Sequence, residues 1–228
     1  MYKNLQLKNL LIQQFIIWSL AWLFIAHYDQ DIMLWVHHNF TGKVFNFFKI
    51  VTFIGDGYLI IAVIAIAGIS FLYQFKNNKL DKAEIEFYSK ILASLSYSFI
   101  LSSVIVQTMK FIFGRTRPKL FLYDRIHEFT GPDITFQFHS FPSGHSATAF
   151  SFFITLCLAF PRYRLVLFAL ATTAAISRII VTMHYPSDVL VGSYFGFICA
   201  IIIWYSKVVE QHRIDVLAFI SKKLFSRL

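Results

Sequence analysis

Ser177-Arg178-Ile179-Ile180-Val181-Thr182-Met183-His184-Tyr185-Pro186-Ser187-Asp188 closes an apolar run over residues 166–182 that is long enough to be buried in a membrane. Ionisable groups at that depth are expensive and normally pair with one another or face a polar site, so Arg178, His184 and Asp188 are candidates for function. Ser177 and His184 are two helical turns apart and share a face. Asp188 follows His184 by four residues, within reach of it where the backbone stays near helical. Pro186, between them, suits the first position of a new helix. A histidine held by a carboxylate has a fixed tautomer and a more basic ring, which is what a nucleophilic histidine needs. The plainer reading lets Arg178 snorkel to the interface and leaves His184 and Asp188 only joining two helices.

The composition around this stretch is that of a membrane protein. Of 228 residues, 57% are hydrophobic and 14% charged, and 27 are phenylalanine. A soluble domain of this length exposes far more charge. The expected fold is all-α, a six-helix integral membrane bundle of one domain over residues 1–228. Its spans are expected near residues 10–27, 58–75, 87–113, 145–160, 165–183 and 188–205. The net charge of +9 would suggest nucleic acid in a soluble protein. Here the basic residues cluster at span ends and in loops, which fits orientation in a bilayer and anionic partners, lipid head groups or phosphate substrates, and no nucleic acid. No obligate protein partner is indicated. Cys157 and Cys199 lie inside apolar runs and read as small core residues.

Along the chain, Lys3 and Lys8 precede the first apolar run. Ser19-Leu20-Ala21 has the spacing of a leader cleavage site, but Gln13 and Gln14 weaken a short signal core, so a retained first span is expected. Residues 28–57 mix Asp29, Asp31, His37, His38, Lys43 and Lys49 with apolar positions. Val44, Phe45, Phe48 and Val51 recur at helical spacing, as in a helix lying in the membrane interface, and Gly55-Asp56-Gly57 ends it. His37-His38 has no carboxylate or cysteine at ligand spacing and reads as an exposed pair, not a metal site. The third span carries a polar stripe of Ser96, Ser103, Gln107 and Lys110. Helix-packing hydrogen bonds suit the serines but not the lysine. Residues 114–141 form a polar loop outside the hydrocarbon, with Arg115, Arg117, Lys119, Asp124, Arg125, His127, Glu128, Asp133 and His139. The tail, residues 206–228, is basic and amphipathic and is expected to lie on an anionic leaflet.

Six spans place both termini on one side, together with Lys76, Lys79, Lys82, Arg162 and Arg164. The positive-inside rule makes that side cytoplasmic. The loop over residues 114–141 then lies on the other side with an excess of cations, as if these were kept for a substrate. Three stretches meet on that side: Lys110 with Arg117-Pro118, Pro142-Ser143-Gly144-His145, and the opening stretch. Lys110, Arg117 and Arg178 are cations, and arginine's planar fork matches a phosphate. Ser143 and Gly144 open a helix whose N-terminal N–H groups and dipole favour an anion. His184, backed by Asp188, can attack phosphorus; His145 can protonate the leaving oxygen and then activate water. The cations do the work that Mg²⁺ does elsewhere, and neither a metal nor another cofactor is expected.

These three stretches resemble the tripartite motif of the type 2 phosphatidic acid phosphatase family: Lys, six residues, Arg-Pro; Pro-Ser-Gly-His; and Ser-Arg, five residues, His, three residues, Asp. Every motif position is matched. The resemblance covers residues 110–188 directly, and the span layout extends it to most of the chain. It implies that His184 forms the phospho-enzyme, that Asp188 orients it, that His145 is the acid and base, and that Lys110, Arg117, Ser143, Gly144 and Arg178 bind phosphate. It further implies a bacterial inner-membrane enzyme, both termini cytoplasmic and the site facing the periplasm. Its substrate would be a lipid phosphate such as undecaprenyl pyrophosphate, phosphatidylglycerol phosphate, phosphatidic acid or lipid A. Vanadate-dependent haloperoxidases share the family's anion pocket, but six apolar spans argue against that chemistry. The alternative from another class is a protein that binds or transports lipid phosphates without turnover.

Overall fold

The computed structural model describes residues 2–211, with side chains from residue 11 onward. A first helix α1 (Tyr2–Leu23) passes through a π-helical turn (Phe24–Tyr28) into α2 (Asp29–Asn39). Next come α3 (Gly42–Val51), a 3₁₀ turn (Thr52–Gly55), α4 (Gly57–Lys76) and α5 (Lys82–Phe113). A short α6 (Pro118–Asp124) precedes α7 (Gly144–Ala159), α8 (Arg164–Ile180) and α9 (Pro186–Trp204). The described residues form no strand; Arg115 and Phe129 make one isolated bridge.

Among the described residues, five stretches are long and apolar enough to cross a membrane: Leu11–Asn39, Gly57–Lys76, Lys82–Phe113, Pro161–Ile180 and Pro186–Trp204. The expected fourth span is α7, a further apolar helix shorter than these five: its 16 residues rise about 24 Å at ~1.5 Å each. Helix α7 is the axis of the bundle. It packs chiefly on α9, α8 and α5 and buries Ala147, Ala149, Ser151, Phe153, Ile154 and Thr155. Small residues there let the neighbours close in. A Cβ on Gly192 would lie 2.3 Å from the Ser143 carbonyl oxygen, and one on Gly196 would lie 2.3 Å from that of Ala147. This Gly-x-x-x-Gly ridge brings the backbone of α9 against the start of α7.

A correction concerns residues 28–57. Residues 29–39 continue the first helix instead of lying apart from it. A π turn adds a residue and changes the face that the following helix presents. Beyond it, Asp29, Met33 and Val36 are buried at helical spacing. The helix expected from Val44 to Val51 is α3. Phe45, Phe48 and Val51 are half-buried, Lys43, Asn46 and Lys49 are exposed, and α3 packs on α8.

The polar segment between α5 and α7 is folded rather than loose. Gly114 ends α5 with φ +51°, and a Cβ there would lie 1.9 Å from the Gly131 carbonyl oxygen, so only glycine fits. The Gly114 carbonyl accepts from the Thr130 N–H (3.0 Å) and hydroxyl (2.9 Å). The basic tail expected over residues 206–228 lies, from residue 212, outside the described residues.

Candidate active site

The C-terminal ends of α5 and α8 meet the N-terminal ends of α4, α7 and α9 at one end of the bundle, under the folded polar segment. Lys110, in the last turn of α5, donates to the carbonyl of His139 at 2.6 Å. Arg117 is buried and spends its fork on three carbonyls: Phe136 (2.9 Å), Met183 (3.2 Å) and His139 (3.2 Å). Arg178, in the last turn of α8, donates to the hydroxyl of Thr52. All three cations are buried, and among the described residues none pairs with a carboxylate. All three act electrostatically on both His145 and His184.

Ser143 caps α7. Its hydroxyl oxygen accepts from the N–H (3.4 Å) and hydroxyl (2.9 Å) of Ser146. Gly144 and His145 are the first residues of the helix, where N–H groups have no intrahelical partner. The Ser143 N–H is not available to an anion, because it donates to the Asp188 carbonyl at 2.9 Å. A Cβ on Gly144 would lie 3.8 Å from Cε of Lys110, so the lysine crosses the glycine closely.

His184 and Asp188 come together by a different route from the helical spacing read in the sequence. Helix α8 stops at Ile180, Thr182 takes φ +55°, and the N–H of His184 turns back to the Arg178 carbonyl (3.2 Å). Pro186 opens α9. Asp188, in the first turn, folds back to accept the Tyr185 N–H at 2.8 Å, and its carboxylate lies 3.6 Å from Nδ1 of His184. Nδ1 itself lies 2.8 Å from the Ser140 carbonyl. A carbonyl only accepts, so Nδ1 carries the proton and Nε2 the lone pair. Burial, reinforced by Lys110, Arg117 and Arg178, holds the ring well below the ordinary imidazole range, against the opposing pull of the Asp188 carboxylate. Arg117, lowered by burial to about 10, keeps its charge at neutral pH. Ser177 is buried and bonds the Ala174 carbonyl within α8, away from this constellation.

Four residues that sequence reasoning did not place in the site belong to its surroundings. Asp56 caps α4 through Oδ1, which accepts from Tyr58 and Leu59, and turns Oδ2 to within 3.5 Å of His145 Nε2. Ser140 donates its hydroxyl to Asp188 at 2.6 Å. Arg115 and Asp29, both fully buried, pair with each other (2.8 Å), and Arg115 also pairs with Asp188 (2.6 Å). The cation excess of the polar segment pointed toward Arg115. An aspartate in register with Met33 and Val36 was the signal for Asp29. Beside His145, a cleft of about 270 Å³ between α4, α5 and α7 is lined by Asp56, Phe99, Ser103, Gln107 and Gly144. Among the described residues, no three His, Cys, Asp or Glu side chains are grouped to hold a metal ion.

Residues 91–211, more than half of the chain, match the family described as the PAP2 superfamily. The chain belongs to that superfamily, whose solved transmembrane members share its fold, and it is a multi-pass membrane protein. It is 37% identical over 124 residues to a lipid A 1-phosphatase of Rhizobium etli, an alignment covering 54% of this chain and 53% of that one. The chain spans about half the length of the Rhizobium relatives it matches. Among solved structures it resembles Aquifex aeolicus LpxE, with TM-score 0.56 and 24% identity over 78% of this chain and 95% of that one. It also resembles a transmembrane PAP2-type phosphatidylglycerolphosphate phosphatase from Bacillus subtilis, with TM-score 0.59 and 19% identity over 89% and 94%.

Proposed function

We propose that the protein is a membrane lipid phosphatase that removes a phosphate from a lipid monoester or pyrophosphate through a phosphohistidine. The observation that carries this reading is the buried triad Lys110, Arg117 and Arg178, without carboxylates and set around His145 and His184. Unpaired buried cations are costly, and an anion with several oxygens offsets that cost for all three at once.

In this reading Nε2 of His184 attacks phosphorus. The bond from phosphorus to the lipid oxygen breaks, its electron pair leaves with that oxygen, and His145 supplies the proton. Neutral His145 then takes a proton from water, whose oxygen attacks phosphorus. The P–N bond breaks, its electron pair returns to Nε2, and phosphate leaves. Lys110, Arg117, Arg178, the Ser143 hydroxyl and the N–H groups of Gly144 and His145 stabilise charge on the three phosphoryl oxygens. The Ser140 carbonyl holds His184 in its reactive tautomer, and Asp188 balances the charge that the ring gains on phosphorylation. The cleft beside His145 suits the lipid side of the scissile bond.

The name of the Rhizobium relative puts lipid A phosphate first among substrates to test, followed by undecaprenyl pyrophosphate, phosphatidylglycerol phosphate and phosphatidic acid. The cation distribution supports cytoplasmic termini and a periplasmic site in a bacterial inner membrane. The test is phosphate release by purified, chelated protein from these four lipids, wild type beside His184→Ala. Release that survives chelation and vanishes in the variant is expected. Binding of the lipids without release from any of them would replace this reading with a binding or transport role.

A further inference from the structure

Arg115 lies inside the first motif, between Lys110 and Arg117, but its guanidinium does not join the phosphate-facing cations. It is the largest fully buried side chain among the described residues. Nη1 donates to Asp188 Oδ1 (2.6 Å) and to the Ser187 hydroxyl (2.7 Å). Nη2 donates to Asp29 Oδ2 (2.8 Å) and meets His127 Nε2 at 3.1 Å. The plane of the guanidinium lies over the Tyr185 ring, 4.1 Å from its centroid. Asp29 in turn accepts the N–H of Ser187 (3.0 Å) and the Ser187 hydroxyl. It comes from the first helix, outside residues 91–211 that define the family match.

The arrangement has a charge logic. Asp188 uses Oδ1 for Arg115 and Oδ2 for the Ser140 hydroxyl and the Tyr185 N–H. A lone guanidinium on that carboxylate would cancel its field at His184. A second buried carboxylate on the far side of Arg115 returns the group to a net charge of minus one. That charge opposes Lys110, Arg117 and Arg178, which face His184 from α5, the polar segment and α8. His127 and Tyr185 complete the titratable groups around Arg115.

We propose that Asp29 and Arg115 are positioning residues of the phosphoryl-transfer site: Arg115 clamps the Asp188 carboxylate, Asp29 holds Arg115 and the neighbouring Ser187, and together they set the charge that His184 experiences. The proposal rests on the phosphatase reading above, and it makes the first helix part of the active site. Asp29→Asn keeps the shape and removes one negative charge; Arg115→Gln removes the positive one. His184 must be neutral to attack. Removing a negative charge near it favours the neutral ring and moves the acid limb of kcat/KM to lower pH. Removing a positive charge moves the limb to higher pH. The double variant restores the net charge of the group and brings the limb back toward wild type.

The experiment uses full-length protein in detergent micelles. It measures kcat, KM and the pH profile on the best lipid phosphate, inhibition by orthovanadate as a probe of the phosphate pocket, and thermal unfolding. For Asp29→Asn the expected result is a kcat reduced about tenfold or more, KM and vanadate inhibition retained, and an acid limb lowered by about half a unit or more. Arg115→Gln should move the limb the opposite way, while Arg115→Lys holds the limb but loses kcat with the fork. Limbs that do not move, or that move together, would overturn the proposal. So would a loss of kcat that follows only loss of folding and of vanadate inhibition. Wild-type protein that releases no phosphate, like His184→Ala, defeats the phosphatase reading and this proposal with it. Active wild type with Asp29→Asn indistinguishable from it defeats this proposal alone.

Discussion

Nδ1 of His184 lies 2.8 Å from the carbonyl oxygen of Ser140, nearer than the 3.6 Å that separates it from Oδ2 of Asp188. The carbonyl fixes the proton on Nδ1. The carboxylate beside it supplies charge, and its own oxygens are engaged by Arg115, Ser140 and Tyr185.

Every partner of the Asp188 carboxylate is therefore a donor. Asp188→Asn keeps the shape but replaces one acceptor with an NH₂ group, and whichever way the amide turns it faces a donor. The variant should lose about 3 kcal/mol of stability, as when one partner of a buried pair is removed, and nearly all turnover. Thermal unfolding in micelles beside phosphate release checks both. An Asp188→Asn protein as stable and active as wild type would show that the carboxylate charge is dispensable.

Arg117→Ala should lower kcat on the order of 10²-fold through lost charge stabilisation of the phosphoryl oxygens. Arg117 also ties Phe136, His139 and Met183 together, so KM should rise as the polar segment loosens. Arg117→Lys keeps the charge but not the fork and should recover kcat only in part. Steady-state kinetics of the three proteins decide it; equal kcat in all of them would remove Arg117 from the phosphate site.

Much of this constellation was legible in the chain. Each motif is a local pattern, and hydropathy places the three motifs at the same ends of apolar runs. The length of the spans was less so. Helix α7 is as apolar as its neighbours, but its small residues bury it in the bundle, and composition does not separate a short axial helix from a lipid-facing one. The Asp29–Arg115 pair was hidden because it joins positions 86 apart, and the π turn that points Asp29 inward leaves no simple signature in the sequence. Asp56 read as the end of α3, yet it begins α4, and only the fold sets it beside His145.

Asp56 offers the next prediction. One carboxylate oxygen caps α4 and the other faces His145 Nε2 at 3.5 Å, where it favours the protonated ring that a general acid needs among three cations. Asp56→Asn preserves a cap and removes the charge. It should slow turnover about tenfold or more, most for lipids with a poor leaving group and least for p-nitrophenyl phosphate, which needs no acid. An equal loss on both substrates would assign Asp56 to the cap alone.

His127 gives a prediction in pH. Arg115 only donates, so His127 Nε2 accepts and its proton sits on Nδ1, 2.8 Å from the Gln30 amide nitrogen; a half-turn of that amide brings its oxygen to the proton. Burial and the Arg115 charge, against Asp188, lower the ring to about 4 from 6.5. The unfolded chain therefore binds a proton between these values that the folded chain refuses. The His127 contribution to stability is present in full above about 6.5 and falls as pH drops toward 4. In His127→Gln the melting temperature should decline less across that window than in wild type. Parallel declines in the two proteins would deny His127 this role.

Gly192 tests the packing on which the site depends. A Cβ there would meet Ser143 at its oxygen (2.3 Å), carbonyl carbon (3.1 Å) and nitrogen (3.1 Å). Those are backbone atoms that cannot swing aside as a side chain would. They belong to the residue that caps α7 and donates to the Asp188 carbonyl at 2.9 Å. Gly192→Ala must push α9 from α7, separating Asp188 from His145 and the phosphate-facing end of α7. It should lower stability by about 1–3 kcal/mol, as overpacking does, and lower kcat by more than that instability explains, because catalytic geometry tolerates little displacement. Gly68 is the control: it lies within α4 and a Cβ there meets nothing within 4 Å, so Gly68→Ala should keep activity and gain about 0.5–1 kcal/mol from helix propensity. Gly192→Ala with wild-type melting and turnover would mean that α7 and α9 can part without disturbing the site, and that the Gly-x-x-x-Gly ridge is not what holds the two halves of the motif together.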